Sequence, residues 1–104
     1  MVFHGRVSTV SANVAVPLAA TNTPANWVTF QPKMAADGTP QNVGTIWVGG
    51  PGISLTSPNG GFSLSIGDSA VTWPSGVQIY PYDLSQINII APNAGDGVQF
   101  IYGQ

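Results

Sequence analysis

Apolar and polar residues alternate along this chain in short runs, and glycine or proline interrupts each run before it grows long. Residues 27–31 place Val28 and Phe30 on one face and Trp27 and Thr29 on the other. Residues 43–49 set Ile46 and Val48 opposite Thr45 and Trp47. Residues 98–102 bring Val98, Phe100 and Tyr102 to one side. A two-residue period of this kind is the signature of a strand with one buried face. Further β-rich runs cover 2–10, 14–18, 53–55, 62–66, 70–73, 77–80 and 86–91, with Pro17 limiting the second to an edge or a strand end. No stretch of about 12 residues is both free of breakers and striped at the helical period, so no helix beyond a single turn is expected.

The punctuation between the runs is turn chemistry. Asn59-Gly60 between two apolar segments predicts a hairpin. Asp37-Gly38 marks the turn of the loop 32–42, Gly49-Gly50-Pro51-Gly52 ends the run before it, and Pro92 to Gly97 turns the chain into its last strand. Asp83 before Leu84-Ser85 is placed to cap one helical turn. About eight strands at intervals of roughly 8–12 residues fit an all-β, antiparallel β-sandwich or small barrel. The alternation favours sheets with one wet face. A single domain over 1–104 is expected, with residues 1–6 free to act as an N-terminal arm.

Composition sharpens this picture at one point. Only 6% of the 104 residues are charged, against about 25% in ordinary soluble domains. They are Arg6, Lys33, Asp37, Asp68, Asp83 and Asp96, with no glutamate. With 43% hydrophobic residues and three tryptophans the chain folds, and its surface must be built from Ser, Thr, Asn, Gln and Gly. So little charge gives weak protection against association, which points to a surface covered by neighbours in the working state. A net charge of -2 with two isolated basic residues argues against a nucleic-acid partner. No run of about 18 apolar residues is available to span a membrane. The first six residues lack the pattern of a secretion signal.

Catalytic chemistry finds little footing. His4 is the only candidate base for a hydrolytic triad, and no serine sits in a G-x-S-x-G elbow. Asp37, Asp68 and Asp96 adjoin glycines, where an aspartate bonds its own turn. No calcium-loop or phosphate-loop motif occurs. The expectation is therefore no enzyme, no cofactor and no metal. The aromatics Trp27, Trp47, Trp73, Tyr80 and Tyr82 remain as candidates for a contact surface, where such rings are enriched. The terminal residues Val2, Phe3, His4 and Arg6 join them. Flat rings on a sheet face would alternatively stack on sugars.

Asn42 to Gly50 reads NVGTIWVGG, followed by Gly52-Ile53-Ser54, Asn59-Gly60-Gly61-Phe62 and Leu64-Ser65-Ile66-Gly67-Asp68-Ser69. Tyr82-Asp83-Leu84-Ser85 then precedes an apolar strand, and Gly97-Val98-Gln99-Phe100-Ile101-Tyr102 closes the chain. From Trp27 onward this order of motifs resembles small accessory proteins of tailed-phage virions. Asp68 stands where those proteins more often carry glutamate, and Pro74 and Pro81 interrupt the segment before Asp83. The resemblance implies a β-sandwich or jelly-roll fold and a structural role as a capsid decoration or cement protein. Its partners would be the major capsid protein and further copies of itself, as a dimer or trimer, on the capsid surface after synthesis in the host cytoplasm. A carbohydrate- or receptor-binding module of a fibre or tail, using Trp27, Trp47 or Trp73 as platforms, is the alternative.

Overall fold

A computed structural model describes residues 1–55, 62–73 and 82–104. Among these residues ten strands follow one another: β1 (Val2–Ser8), β2 (Val16–Pro17), β3 (Pro24–Ala25), β4 (Trp27–Pro32), β5 (Ile46–Gly49), β6 (Phe62–Leu64), β7 (Val71–Trp73), β8 (Tyr82–Asp83), β9 (Asn88–Ile90) and β10 (Gly97–Gly103). Among the described residues the only helical turn is a 3-10 turn, Leu84–Gln86. The strands form two four-stranded antiparallel sheets, β1-β10-β4-β7 and β2-β9-β5-β6, and a ribbon of β3 with β8. The pairing is nested: β1 with β10, β2 with β9, β3 with β8, β4 with β7 and β5 with β6. The first half of the chain thus lies antiparallel to the second like one long ribbon. Two additional pairings, β10 with β4 and β5 with β9, wind that ribbon into the sheets.

One apolar cluster is shared by the two sheets. Val28, Phe30, Val98 and Phe100 come from the first, and Ile46, Val48, Leu64 and Ile89 from the second. These are the inward positions that the alternation predicts. Removing their side chains from water is the main favourable contribution to folding. The radius of gyration, 12.8 Å, equals the roughly 13 Å of a compact chain of this length. Ile90 departs from the pattern: expected on the wet side with Asn88, it is buried. It lies opposite Trp47 across the β5–β9 pair, on the same outer face.

Several elements differ from expectation. Residues 53–55 are not a strand. The partner of β6 is β5 itself, because Gly50 accepts from the Ile53 amide in a turn and Gly52 adopts a φ of +85°, which bends the chain out of the sheet. The hairpin expected at Asn59-Gly60 and the strand expected at 77–80 fall outside the described residues. Residues 1–6 are not a free arm: β1 pairs along its length with β10, from Val2↔Gly103 to Ser8↔Gly97. Joining the sheet satisfies backbone groups that a loose arm would leave to water.

The aspartates divide into two kinds. Asp37 accepts from the Thr39 amide at 3.0 Å within its turn. Asp68 accepts from the Ser65 amide at 2.6 Å. Asp83 caps the 3-10 turn through Ser85, amide at 3.0 Å and hydroxyl at 2.8 Å, and also holds the Thr23 amide at 3.0 Å. Asp96 is no self-bonded turn residue. It is 1% exposed and accepts from Val43 N at 2.8 Å and Gly44 N at 2.9 Å, because the loop before β5 closes over it.

The bonds to Thr23 and then to the Ser85 hydroxyl hold Asp83 below its ordinary value of 3.8. The Thr39 side chain and amide do the same for Asp37. A carboxyl whose folded pKa is depressed adds stability above its unfolded pKa and loses it as pH falls through the folded one. The urea midpoint is therefore expected to stay level from neutrality to about pH 5 and to drop below about pH 4. Asp83→Asn should flatten part of that drop, and an unchanged profile would show that the cap does not titrate with folding.

Candidate functional site

The outer face of the first sheet is built by the residues that alternate away from the core. Strand register assembles them into rows. Val2, Gly103 and Trp27 form one, His4, Ile101, Thr29 and Thr72 the next, and Arg6, Gln99 and Gln31 a third. Beyond these, Ser8 faces Gly97, and Lys33 donates to the Ser8 hydroxyl at 3.1 Å and to the Gly95 carbonyl.

The third row is bonded across three strands. Gln99 donates to Gln31 Oε1 at 2.9 Å, and its own Oε1 accepts from Arg6 Nη2 at 3.1 Å and from the Met34 amide at 3.3 Å. Arg6 Nη2 also donates to the Met34 carbonyl. In the second row the Thr29 and Thr72 hydroxyls lie 2.9 Å apart. Between the two rows lies a depression of about 520 Å³ lined by His4, Arg6, Thr29, Gln31, Gln99 and Ile101, among others. Ile101, which lines it, is 45% exposed. At the end of this face the Trp27 indole lies over Gly103, where a Cβ would come 2.2 Å from Nε1. Glycine is needed there for the ring to lie flat on the backbone.

The sequence-predicted residues do not form one surface. Val2, His4, Arg6 and Trp27 share this face. Phe3 turns the other way and stacks on Tyr102, with ring centroids 5.2 Å apart. Trp47 is half-buried on the outer side of the second sheet, opposite Ser63 and Ile90. Trp73 and Tyr82 are placed by their backbones in β7 and β8, and Tyr80 lies outside the described residues. Gln31, Gln99, Thr29 and Ile101 were missed. Their phase opposite Phe30 and Phe100 was a signal for the outer face, but only the register brings residues 31 and 99 together. Among the described residues no group of three or more His, Asp or Glu is placed to hold a metal, and no helix is long and apolar enough to cross a membrane.

Comparison with family models, with curated proteins and with solved structures finds no match for this chain.

Proposed function

We propose that this chain is a non-catalytic structural protein of a phage virion, a capsid decoration or cement protein that binds and stabilises the head shell. It takes no cofactor. Its partners are the major capsid protein and further copies of itself. The proposed fold is an eight-stranded jelly roll. Without the short β3–β8 ribbon, the sheet orders become first-eighth-third-sixth and second-seventh-fourth-fifth, the order in which a folded double ribbon winds into two Greek keys.

The observation that carries the proposal is the free edge of β1. Met1 and Gln104 exchange both of their backbone bonds, at 3.5 and 3.1 Å. In an antiparallel pair such residues alternate with residues whose N–H and C=O point away, so Val2, His4, Arg6 and Ser8 present theirs outward. Among the described residues nothing pairs with them. Natural edges are blunted by lysine, proline, bulges or inward charges. Seven residues of β1 run in unbroken register with one charged side chain and no proline.

An edge of this kind adds to a neighbour's sheet. Weak contacts suffice when many copies bind one lattice, and low charge limits the desolvation cost of the seam. Val10, Val14 and Val43 are exposed on loops tied to the 91–97 turn by Thr9, Asn13 and Asp96, and they offer apolar contact at one end of the molecule.

Purified protein is expected to pellet, saturably and stoichiometrically, with phage heads stripped of it. His4→Pro removes an outward N–H and is tolerated by an edge strand. It should leave the monomer folded and reduce pelleting roughly tenfold or more, as a small loss per copy multiplies over the lattice. Wild-type protein that stays in the supernatant would overturn the shell-binding reading. Full pelleting of folded His4→Pro would exclude β1 as the contact.

A further inference from the structure

We propose that the depression on the outer face of the first sheet binds a sugar bearing a carboxylate, such as a uronic acid residue within an oligosaccharide. The inference is independent of shell binding, since it uses side chains of the sheet face and not the backbone edge.

Charge placement comes first. The chain carries two Lys and Arg residues and one histidine against four aspartates. All three of those nitrogen-bearing side chains lie on this one face, in successive rows: His4, Arg6 and, at the rim, Lys33. No residue lining the depression is acidic. Asp96 is buried at the far end of β10, and Asp83 is occupied with its cap. An acidic protein thus places both of its basic side chains and its histidine on one face, and among the described residues no carboxylate is bonded to them there.

Arg6 is also held in position. Its Nη2 is engaged by Gln99 and by the Met34 carbonyl, which fixes the guanidinium plane and leaves Nη1 and Nε as donors. A guanidinium held this way can give a carboxylate a charge-assisted bond from Nη1 or from Nε. His4 lies two residues along the same strand face, beside it.

The rest of the lining suits a sugar ring better than a bare anion. Side-chain amides of Gln31 and Gln99 and the hydroxyl of Thr29 can exchange bonds with ring hydroxyls. Exposed Ile101 offers an apolar surface to the C–H face of the ring. The volume of about 520 Å³ falls within the roughly 300–1,000 Å³ of small-molecule sites. Trp27 stands two residues along β4 from Thr29, roughly 7 Å away, so the next unit of an oligosaccharide would meet its indole.

The test is titration of the whole protein with a glucuronate-containing tetrasaccharide, a neutral tetrasaccharide of the same linkages, and inorganic phosphate, followed by backbone amide shifts. The expected result is saturable binding of the acidic sugar, with shifts confined to residues near 4–6, 29–31 and 99–101. Arg6→Gln should weaken it roughly tenfold or more, the effect of losing a charged hydrogen bond, while Trp47→Phe on the other sheet leaves it unchanged. Equal binding of the neutral sugar with a silent Arg6→Gln would overturn the role of charge. Phosphate binding as tightly at the same residues would overturn the sugar. Absence of shifts with all three probes would overturn the site. None of these outcomes bears on pelleting with heads, so the two proposals fail separately.

Discussion

Gly97→Ala is expected to leave little folded protein. A Cβ at this position would sit 2.1 Å from the Val7 carbonyl oxygen, 2.8 Å from Ser8 Cα and 2.9 Å from Val7 C. All three are backbone atoms of the neighbouring strand, so no rotamer change relieves the clash. Relief requires β1 to part from β10 at the end where Thr9 N bonds Asp96 O at 2.8 Å. It also strains the two hydrogen bonds between Asn42 and residue 97, Gly97 N to Oδ1 at 2.8 Å and Nδ2 to Gly97 O at 2.9 Å. Asn42 is 6% exposed, so groups separated from it do not regain water easily. Losing two or three such bonds costs about 3–5 kcal/mol, comparable with the roughly 5–15 kcal/mol that holds a domain of this size together. Urea denaturation followed by circular dichroism measures it. A loss under about 1 kcal/mol would mean that β1 and β10 separate there at little cost.

Asp96→Ala is expected to cost nearly as much, by a different route. The substitution creates no clash. It leaves Val43 N and Gly44 N, now bound at 2.8 and 2.9 Å, without their acceptor at a part-buried site. Each orphaned donor costs about 1–3 kcal/mol, so the pair amounts to about 2–6 kcal/mol. Asp96→Asn retains one acceptor oxygen and should fall between the variant and the parent. Both substitutions act on one network with Thr9, whose hydroxyl donates to Asp96 O at 3.0 Å and Asn93 O at 3.2 Å. The double variant should therefore lose less than the sum of the two. Equal midpoints for Asp96→Ala and the parent would show that water reaches the two amides.

Much of the fold was legible because two-residue periodicity is a local property. Val28 and Phe30, Ile46 and Val48, and Val98 and Phe100 are buried, as their alternation requires, and Asp83 caps the turn that its spacing to Ser85 predicts. Turn glycines behaved similarly where a positive φ is needed, at Gly38 and Gly67. Local pattern misleads where a segment's role depends on a distant partner. Residues 53–55 have the composition of a strand, yet the turn from Gly50 to Ile53 bends them out of the sheet. Residues 1–6 look like a loose terminus and are the edge of a sheet. Asp96 looks like every other aspartate beside a glycine, yet it closes a loop more than fifty positions away, at Val43 and Gly44.

The candidate site divides in the same way. The sequence by itself determined that the chain is all-β, that it has almost no charge to spend on its surface, and which residues of each strand look inward. It also singled out His4, Arg6 and Trp27. Only the tertiary structure decided that these three share a face, that Gln31 and Gln99 bond across it with Arg6, and that Trp47 belongs to the opposite sheet. The physical reason is register. Side-chain direction repeats every two residues and can be read along one strand, but which residues stand side by side is set by the pairing of strands from opposite ends of the chain, and that pairing is chosen by the burial of the whole core at once.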